Sequence, residues 1–336
     1  MVERRPTVVI TGASAGVGRA TAKEFARHGY QIGLIARGEK ALEETRAELQ
    51  AMGAKALALP ADVADADQVE KAAASAEAEL GPIDVWVNSA MVTVFSPVSA
   101  MTPEEFKDVT DTTYLGYVYG TLAALGRMRA RNRGTIVQVG SALAYRSIPL
   151  QSAYCGAKSA IRGFTDSLRS ELIHDRSRVR LTMVQLPAHD TPQFEWARNK
   201  LESRPQPVPP IYRPEVAGRA IYHAAQDAPR ELWVGSSTVK AIVGNMVMPW
   251  VLDKLMAKQA YSGQQTGEPA LKHRPNNLEH PVAGLHRQRG RFGKHAKTDA
   301  IEVKAEALGK AALVAAAGIG VVALAAGVRG ARRLLH

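Results

Sequence analysis

Tyr154, Lys158 and the upstream Ser141 have the residue types and the spacing that acid–base chemistry at a substrate oxygen requires. Tyr154 and Lys158 lie four residues apart in a predicted helix, so their side chains lie on one face. A nearby ammonium favours the phenolate and lowers the pKa of tyrosine from its ordinary value of about 10. The Tyr154 hydroxyl then becomes a usable acid or base near neutral pH. Ser141 ends an apolar strand (QVGS) and is predicted to hold the substrate oxygen as its charge changes.

A glycine-rich segment near the start of the chain is typical of a phosphate-binding turn. It follows the apolar run Thr7–Thr11 and opens a predicted helix. Glycines let the backbone turn sharply and approach a pyrophosphate, and the helix N-terminus offers N–H groups and a positive dipole end. An ordinary turn between strand and helix needs fewer glycines. We therefore predict a dinucleotide site at Gly12, Ser14, Ala15, Gly16, Val17 and Gly18.

The residue after the second predicted strand bears on the choice of dinucleotide. An NAD site usually carries an acidic residue there, which binds the ribose hydroxyls. This chain has Ala36 followed by Arg37. A cation suits a 2′-phosphate, so the sequence favours NADP(H) over NAD(H). The alternative interpretation is that Arg37 is a solvated surface charge.

Apolar runs alternate with helical segments along most of the chain, which predicts parallel strands joined by crossover helices. The runs are continuously apolar, as in a sheet covered on both faces. We expect an α/β, Rossmann-type, doubly wound parallel sheet of about seven strands, with ligands at the carboxyl ends of the strands. The predicted strands are Thr7–Thr11, Gln31–Ala36, Ala56–Pro60, Val85–Asn88, Thr135–Gly140, Arg180–Gln185 and Leu232–Gly235.

In this order the motifs resemble those of the short-chain dehydrogenase/reductase family, from about Thr7 to Gly235. The resemblance rests on the TGASAGVG turn, on residues after the third and fourth strands, on Ser141 and on the YCGAK run. It implies an oxidoreductase that interconverts a hydroxyl and a carbonyl with hydride from NAD(P), and a dimer or tetramer. Lys158 would also bond the nicotinamide ribose. The implied cofactor contacts beyond the glycine turn are Arg37, Asp62, Val63, Asn88, Ser89, Ala90, Tyr154, Lys158, Pro187 and Thr191.

The chain departs from the family pattern at a position linked to proton relay. Where the family carries an asparagine in the long helix after the fourth strand, this sequence has Thr113. A threonine hydroxyl can bond a water but is shorter than an asparagine. Ser89 and Met91 also replace an asparagine and a glycine. We expect a divergent but active enzyme. The alternative is a nucleotide-sensing or membrane-tethered binding protein of the same fold with little turnover.

Apolar residues cluster on the expected substrate side and predict a small apolar substrate, although core or subunit-interface roles explain them equally well. The proline-rich loop Pro205–Pro214 is predicted to be stiff and extended. Its two interpretations are a substrate lid and a plain connector. The apolar cluster comprises Met91, Val92, Val94, Phe95, Leu143, Ala144, Tyr145, Phe194 and Trp196.

Composition excludes several other classes of protein. The net charge is +11, but the basic excess is concentrated in Lys272–Lys297 and the last eight residues. Without zinc-finger spacing or interleaved aromatic residues, nucleic-acid binding is not expected. The single cysteine, Cys155, fits a reducing compartment. The nine histidines lack metal-ligand spacing, so no metal is predicted.

The C-terminal part differs in character from the rest. We expect a catalytic domain over 1–262, a basic flexible linker over 263–303 and an apolar helix over 304–336. Residues 311–328 carry no charged or polar side chain and have basic residues on both flanks. A membrane anchor is favoured, with the catalytic domain in the cytoplasm. A helix lying on the membrane surface and a buried soluble helix are the alternatives.

Overall fold

A computed structural model describes residues 4–271 and 274–307 of the chain. The helices are α1 (Gly16–Arg27), α2 (Glu39–Ala51), α3 (Ala66–Leu80), α4 (Pro103–Thr110), α5 (Gly116–Arg131), α6 (Ser152–His174), α7 (Gln193–Trp196), α8 (Pro214–Asp227), α9 (Ser236–Val247), α10 (Pro249–Leu255) and α11 (Tyr261–Gly263). The strands are β1 (Thr7–Thr11), β2 (Gln31–Ala36), β3 (Ala56–Pro60), β4 (Ile83–Asn88), β5 (Val94–Phe95), β6 (Thr135–Ser141), β7 (Arg180–Leu186), β8 (Ala188–His189), β9 (Arg198–Asn199), β10 (Ser203–Pro205), β11 (Ile211–Tyr212), β12 (Glu231–Val234), β13 (Gln265–Pro269) and β14 (Glu302–Lys304).

The central sheet has eight strands in the order β14-β12-β7-β6-β4-β1-β2-β3. Its parallel strands, from β12 to β3, are the seven predicted from the sequence, and the Rossmann-type fold is confirmed. The order of the strands reverses between β1 and β4. In an open α/β sheet, a ligand binds in the crevice at the carboxyl ends of the strands at such a reversal. The fold therefore directs attention to the residues that follow β1 and β4.

Both faces of the sheet are buried, as the continuously apolar strands require. Successive side chains of a strand point to opposite faces. On one face Val8 and Ile10 of β1 pack with Phe25 of α1 and Ile221 of α8. On the other face Val9 belongs to the core that α3, α5 and α6 cover. The sheet is thus a rigid platform between two helical layers, and the loops at its carboxyl edge carry the site.

The segment after Ser262 is more closely packed than the flexible linker that its composition predicts. β13 pairs with β10, and β14 adds an antiparallel strand to the edge of the main sheet. Leu278 and Val282 are buried, with 2% and 5% of their surface exposed. This segment is mostly polar. It is nevertheless ordered, because a few of its apolar side chains are buried and its backbone forms many hydrogen bonds to the rest of the domain.

The predicted membrane anchor, residues 311–328, lies outside the described residues. Within the part that the structure describes, no helix combines the length and apolarity of a membrane crossing. The same residues contain no group of three or more potential metal ligands.

Candidate active site

The ends of β1 and β4 approach each other closely at the glycine turn. The Thr11 hydroxyl accepts hydrogen bonds from the backbone N–H groups of Ser89 and Ala90, at 2.9 and 3.1 Å. A Cβ atom on Gly12 would lie 2.8 Å from the Ala90 Cα, and Gly12 has a φ of +70°. A Cβ atom on Gly18 would lie 2.2 Å from the Gly12 carbonyl oxygen. Only glycine fits these two positions, and the tight turn leaves room for a dinucleotide above it.

A cavity of about 930 Å³ opens over this turn. It joins the carboxyl ends of β1, β2, β3 and β4, which is where a Rossmann-type fold binds its dinucleotide. The residues present fit an NAD(P) cofactor, because glycine backbone and a helix N-terminus face the cavity together with a cation. The predicted cofactor residues that line it are Gly12, Ser14, Ala15, Gly16, Val17, Gly18, Arg37, Asp62, Val63, Ser89, Ala90 and Thr191.

A second cavity, of about 1440 Å³, contains the predicted catalytic residues Ser141, Tyr154 and Lys158. Pro187 also lines it. The two cavities share five lining residues, Gln193 among them, and so form one continuous cleft. The shared residues include Val17, Ser89, Met91 and Thr191. The cleft thus leads from the end of β2, where Arg37 lies, to Tyr154.

Lys158 is buried and held by two oxygen atoms of the protein. Its Nζ donates to the Val139 carbonyl at 2.7 Å and to the Tyr117 hydroxyl at 2.9 Å. The same Nζ lies 5.6 Å from the centre of the Tyr154 ring. Burial lowers the pKa of Lys158 to about 7. The ammonium is therefore only partly populated at neutral pH.

Tyr154 does not have the lowered pKa that the sequence predicts. Burial raises the pKa of the Tyr154 hydroxyl well above its ordinary value, whereas the Ser141 hydroxyl acts in the opposite direction. Burial outweighs the expected effect of Lys158 because it disfavours the charged form of both groups at once. In this arrangement Tyr154 is a phenol at neutral pH, which suits it to donate a proton.

Thr113 and Asn88 do not line either cavity. Thr113 lies in a π-helical turn (Asp111–Leu115) between α4 and α5. Its hydroxyl donates to the Val92 carbonyl at 3.0 Å and accepts from the Val92 N–H at 3.1 Å. Asn88 donates to the Tyr117 carbonyl, to Thr121 and to Gln138. Both residues hold β4 and its following loop against neighbouring elements.

Tyr117 is a polar neighbour of the predicted catalytic residues and is not among the residues that the sequence predicts. Its ring is 1% exposed, and its hydroxyl donates to the Val139 carbonyl at 3.0 Å. The residue lies one helical turn after Thr113, on the side of α5 that faces Lys158. The i, i+4 spacing from Thr113 was a signal that could have found it.

The walls of the second cavity are mostly apolar. Met91, Leu143 and Phe194 of the predicted substrate-side cluster line it, whereas Val92 and Trp196 line the first cavity, which Met91 also reaches. Val92 and Val94 pack in a small separate core. Residues 206–210 of the proline-rich loop also line the second cavity, so this loop forms part of the wall.

His189 adds a polar atom to this apolar cavity. Its Nδ1 lies 2.9 Å from the Pro187 carbonyl, which can only accept a hydrogen bond. Burial lowers the pKa of His189 to about 4, so the ring is neutral and Nε2 is an acceptor. Among the described residues, the buried Nε2 has no hydrogen-bond partner, and neither do the hydroxyls of Ser237 and Thr238 in the same cavity.

Arg37 lines the cofactor cavity, and part of its guanidinium is already hydrogen-bonded to the protein. Its Nη1 donates to the carbonyls of Leu278 and Glu279, at 3.2 and 2.8 Å, and its Nη2 donates to the Asn277 carbonyl at 2.5 Å. Asp62 lies 3.9 Å from Nη1. A guanidinium has five N–H donors, so three bonds leave two N–H groups for a phosphate.

Comparison with known proteins identifies the family. The family model described as short chain dehydrogenase matches residues 6–202. The chain belongs to this family. It is 34% identical over 281 residues to "Uncharacterized oxidoreductase YxnA" of Bacillus subtilis (strain 168), covering 83% of this chain and 79% of the relative.

Two further relatives have named activities. "3-dehydrosphinganine reductase" of Danio rerio is 33% identical over 192 residues, which cover 56% of this chain and 57% of the relative. An alcohol dehydrogenase of the archaeon Thermococcus sibiricus, solved in complex with 5-hydroxy-NADP, has a TM-score of 0.58 at 27% identity. That match covers 68% of this chain and 95% of the archaeal protein. The chain is therefore a short-chain oxidoreductase that acts on CH–OH groups with NAD(P).

Proposed function

We propose that this protein is an NADP(H)-dependent carbonyl reductase or alcohol dehydrogenase for a small, largely apolar substrate. The observation that supports this most directly is the continuous cleft. Ser141, Tyr154 and Lys158 share one cavity, and that cavity continues into the one above the glycine turn. A substrate bound beside Tyr154 would therefore lie next to the nicotinamide end of a dinucleotide.

The protein's part in the reaction is to orient the substrate and move a proton. The nicotinamide cofactor supplies or accepts the hydride at the carbonyl carbon. Ser141 holds the substrate oxygen by a hydrogen bond, and Tyr154 donates a proton to that oxygen as negative charge develops on it. The Lys158 ammonium stabilises the tyrosinate that remains. Burial keeps Tyr154 protonated at neutral pH, which is the state that donates a proton to a carbonyl oxygen.

The substrate we propose is an apolar ketone or aldehyde with a hydrogen-bonding group remote from the carbonyl. The cavity walls are mostly apolar, but His189, Ser237 and Thr238 line it, and in the described chain His189 Nε2 and the two hydroxyls have no protein partner. A buried polar atom without a partner loses about 1–3 kcal/mol, which a substrate hydroxyl would recover. The neutral His189 accepts a hydrogen bond, so a donor is favoured.

Replacement of Tyr154 by phenylalanine tests the mechanism. Loss of the hydroxyl should lower kcat about 100- to 10,000-fold on a panel of apolar ketones, with NADPH binding retained. Oxidation of NADPH measures turnover, and its fluorescence measures binding. Tyr222→Phe is the matched control, because that ring stacks on His28 in the outer layer at 3.8 Å. Full turnover by Tyr154→Phe would refute the proposed role of Tyr154.

A second candidate function is nucleotide sensing with little turnover. The observation that favours it is that both hydrogen-bonding functions of Thr113 are taken by Val92, so Thr113 does not replace the family's asparagine in a water relay. The same panel separates the two functions. Tight NADPH binding without turnover of any carbonyl compound by the unmodified protein would favour the sensor.

We propose NADP(H) as the preferred cofactor because Arg37 keeps two N–H groups beside the end of β2. Arg37→Ala should raise the Kd of NADPH about tenfold more than that of NADH, since the charged hydrogen bond to the 2′-phosphate is lost only from NADPH. Titration calorimetry with both cofactors measures this. The control is Arg46→Ala on α2, whose partner is Glu43 at 2.6 Å. Equal weakening of both cofactors would show that Arg37 does not recognise the phosphate.

We further propose that the protein forms a homo-oligomer and that residues 311–328 attach it to a membrane, with the catalytic domain in the cytoplasm. Family membership supports the first, and the apolar sequence with basic flanks supports the second. The exposed side chains of Met246 and Trp250 offer further apolar surface. Cell fractionation should find the full chain in membranes and a chain ending at Ala307, which retains β14, in the soluble fraction.

A further inference from the structure

The segment from Asn277 to Phe292, here called the cofactor strap, is tied at both ends to the loop that carries α7. The Asn277 N–H donates to the Trp196 carbonyl at 3.0 Å. At the other end, the Phe292 N–H donates to Asp190 Oδ1 at 2.8 Å, and the Gly290 N–H donates to the Asp190 carbonyl at 3.1 Å. The ends of the strap are thus fixed to the wall that separates the cofactor and substrate cavities.

The middle of the strap lies over the cofactor cavity. Asn277, Pro281 and His286 line this cavity together with the glycine turn. The His286 ring packs against Trp196, with ring centres 5.0 Å apart. Burial lowers the pKa of His286, so the ring is neutral, and within the described chain its buried Nδ1 has no hydrogen-bond partner. This polar atom can bond the adenosine part of a dinucleotide.

Backbone carbonyls of the strap accept hydrogen bonds at the two positions of the cleft where phosphate groups of the dinucleotide are proposed to bind. At the start of α1, the Arg287 carbonyl accepts from the Gly16 N–H at 3.1 Å, and the His286 carbonyl accepts from Arg19 at 3.1 Å. At the end of β2, Arg37 donates to three strap carbonyls. A segment that served only to cover the sheet edge would not need to contact these two positions.

We infer that the cofactor strap is the outer wall of the dinucleotide site, and that the adenosine end of the cofactor binds and dissociates only when the strap opens. The inference rests on the proposed use of a nicotinamide cofactor. Pro281 and His286, which line the cavity, then contact the bound adenosine. The strap slows dissociation of the cofactor and makes its opening part of each catalytic cycle.

A disulfide can hold the strap in the position that the structure shows. A Cβ atom on Gly38 would lie 3.5 Å from the Pro281 Cβ. Disulfide bonds span Cβ–Cβ distances of roughly 3.5–4.5 Å. Gly38 has a φ of −87°, which any residue adopts, and Pro281 is exposed. The native Cys155 is buried and should not compete.

The test compares the oxidised and reduced Gly38→Cys/Pro281→Cys protein in stopped-flow measurements of NADPH fluorescence. Oxidation before mixing should slow NADPH association at least about 100-fold, and dithiothreitol should restore it. NADPH bound before oxidation should remain bound through gel filtration. Gly38→Cys alone is the control. Equal association rates for the oxidised and reduced double variant would overturn the inference, whereas failure of the reduced protein to bind NADPH would refute the proposed cofactor instead.

A second measurement uses the unmodified full chain and does not depend on formation of the disulfide. Saturating NADPH should slow amide hydrogen exchange in residues 277–292 at least about tenfold. Phe292→Ala, which removes a ring contact with Phe194, should accelerate NADPH dissociation several-fold. Arg129→Ala, at a surface pair with Asp175, should not. Unchanged exchange in the strap at saturating NADPH would overturn the inference independently.

Discussion

The two ends of the cleft are built in different ways. At the catalytic end, Ser141 ends β6 while Tyr154 and Lys158 lie on α6, so regular elements fix all three side chains. At the adenosine end, one wall is the glycine turn and the other is the cofactor strap, which has no helix or strand. The catalytic end is therefore held by the same hydrogen bonds that make the fold. The adenosine end can open without any strand or helix being lost.

If this difference governs function, the catalytic end should respond to protonation and the adenosine end should not. Burial lowers the pKa of Lys158 to about 7, so its ammonium loses the proton as the pH rises through that value. The charge that stabilises the tyrosinate is then lost, and kcat/KM for carbonyl reduction should fall about tenfold per pH unit above 7. The Kd of NADPH should change little over about pH 7–9, where the 2′-phosphate stays fully charged because its second pKa is about 6.

Lys158→Arg sharpens this prediction, because a guanidinium stays protonated. The variant should have lower activity but a flat profile above pH 7. We call the decrease in kcat/KM above pH 7 the alkaline limb. If it persists unchanged in Lys158→Arg, the ionisation belongs to another group. A flat profile in the unmodified protein would contradict the role of the Lys158 ammonium.

The same contrast explains what the sequence could predict. The sequence predicts that Tyr154, Lys158 and Ser141 lie together because fixed spacing on a helix and at the end of a strand places side chains predictably, and the three residues line one cavity. The glycine turn was found for the same reason. The strap is rich in Gly, Pro, His and charged residues, a composition that predicts a flexible linker. The sequence does not reveal its contacts because they are made by backbone carbonyls, which every residue has. Arg37 was recognised as a cation, but its three strap partners lie about 240 residues away in the chain.

The pKa of Tyr154 was mispredicted for a related reason. Spacing places a lysine near a tyrosine, but it does not report how much water reaches either group. Burial of both raises one pKa and lowers the other. How strongly Tyr154 and Lys158 are buried depends on the wall around them. That wall includes loop residues 206–210 and α9, which are distant from both residues in the sequence.

A smaller effect is expected at the far side of the substrate cavity. His189→Leu removes the acceptor Nε2 and keeps an apolar side chain of similar reach. The unmodified protein should prefer an apolar ketone with a distal hydroxyl over its deoxy analogue about tenfold in kcat/KM, and the variant should lose this preference. His174→Leu, at the exposed end of α6, is the control. An unaltered preference would place the polar contact on Ser237 or Thr238 instead.

The smallest expected effect concerns the neighbour of Lys158. Tyr117→Phe removes the hydroxyl that accepts a hydrogen bond from Nζ at 2.9 Å and leaves the Val139 carbonyl in place. An acceptor favours the charged lysine, so its loss should lower the pKa of Lys158 and move the alkaline limb to lower pH. We expect kcat to fall about three- to tenfold if, as we propose, proton return to Tyr154 passes through Lys158.

The control for Tyr117→Phe is Tyr114→Phe, whose ring packs in the same small cluster. A purely structural role of Tyr117 would lower the melting temperature and leave the pH profile unchanged. If the decrease in activity above pH 7 moves to lower pH while the melting temperature stays unchanged, Tyr117 is instead a positioning residue that acts on Tyr154 through Lys158. It would then serve the proton return that Thr113, bonded on both sides to Val92, does not supply. The catalytic end would in that case owe its proton relay to a tyrosine one turn further along α5 than the family pattern predicts.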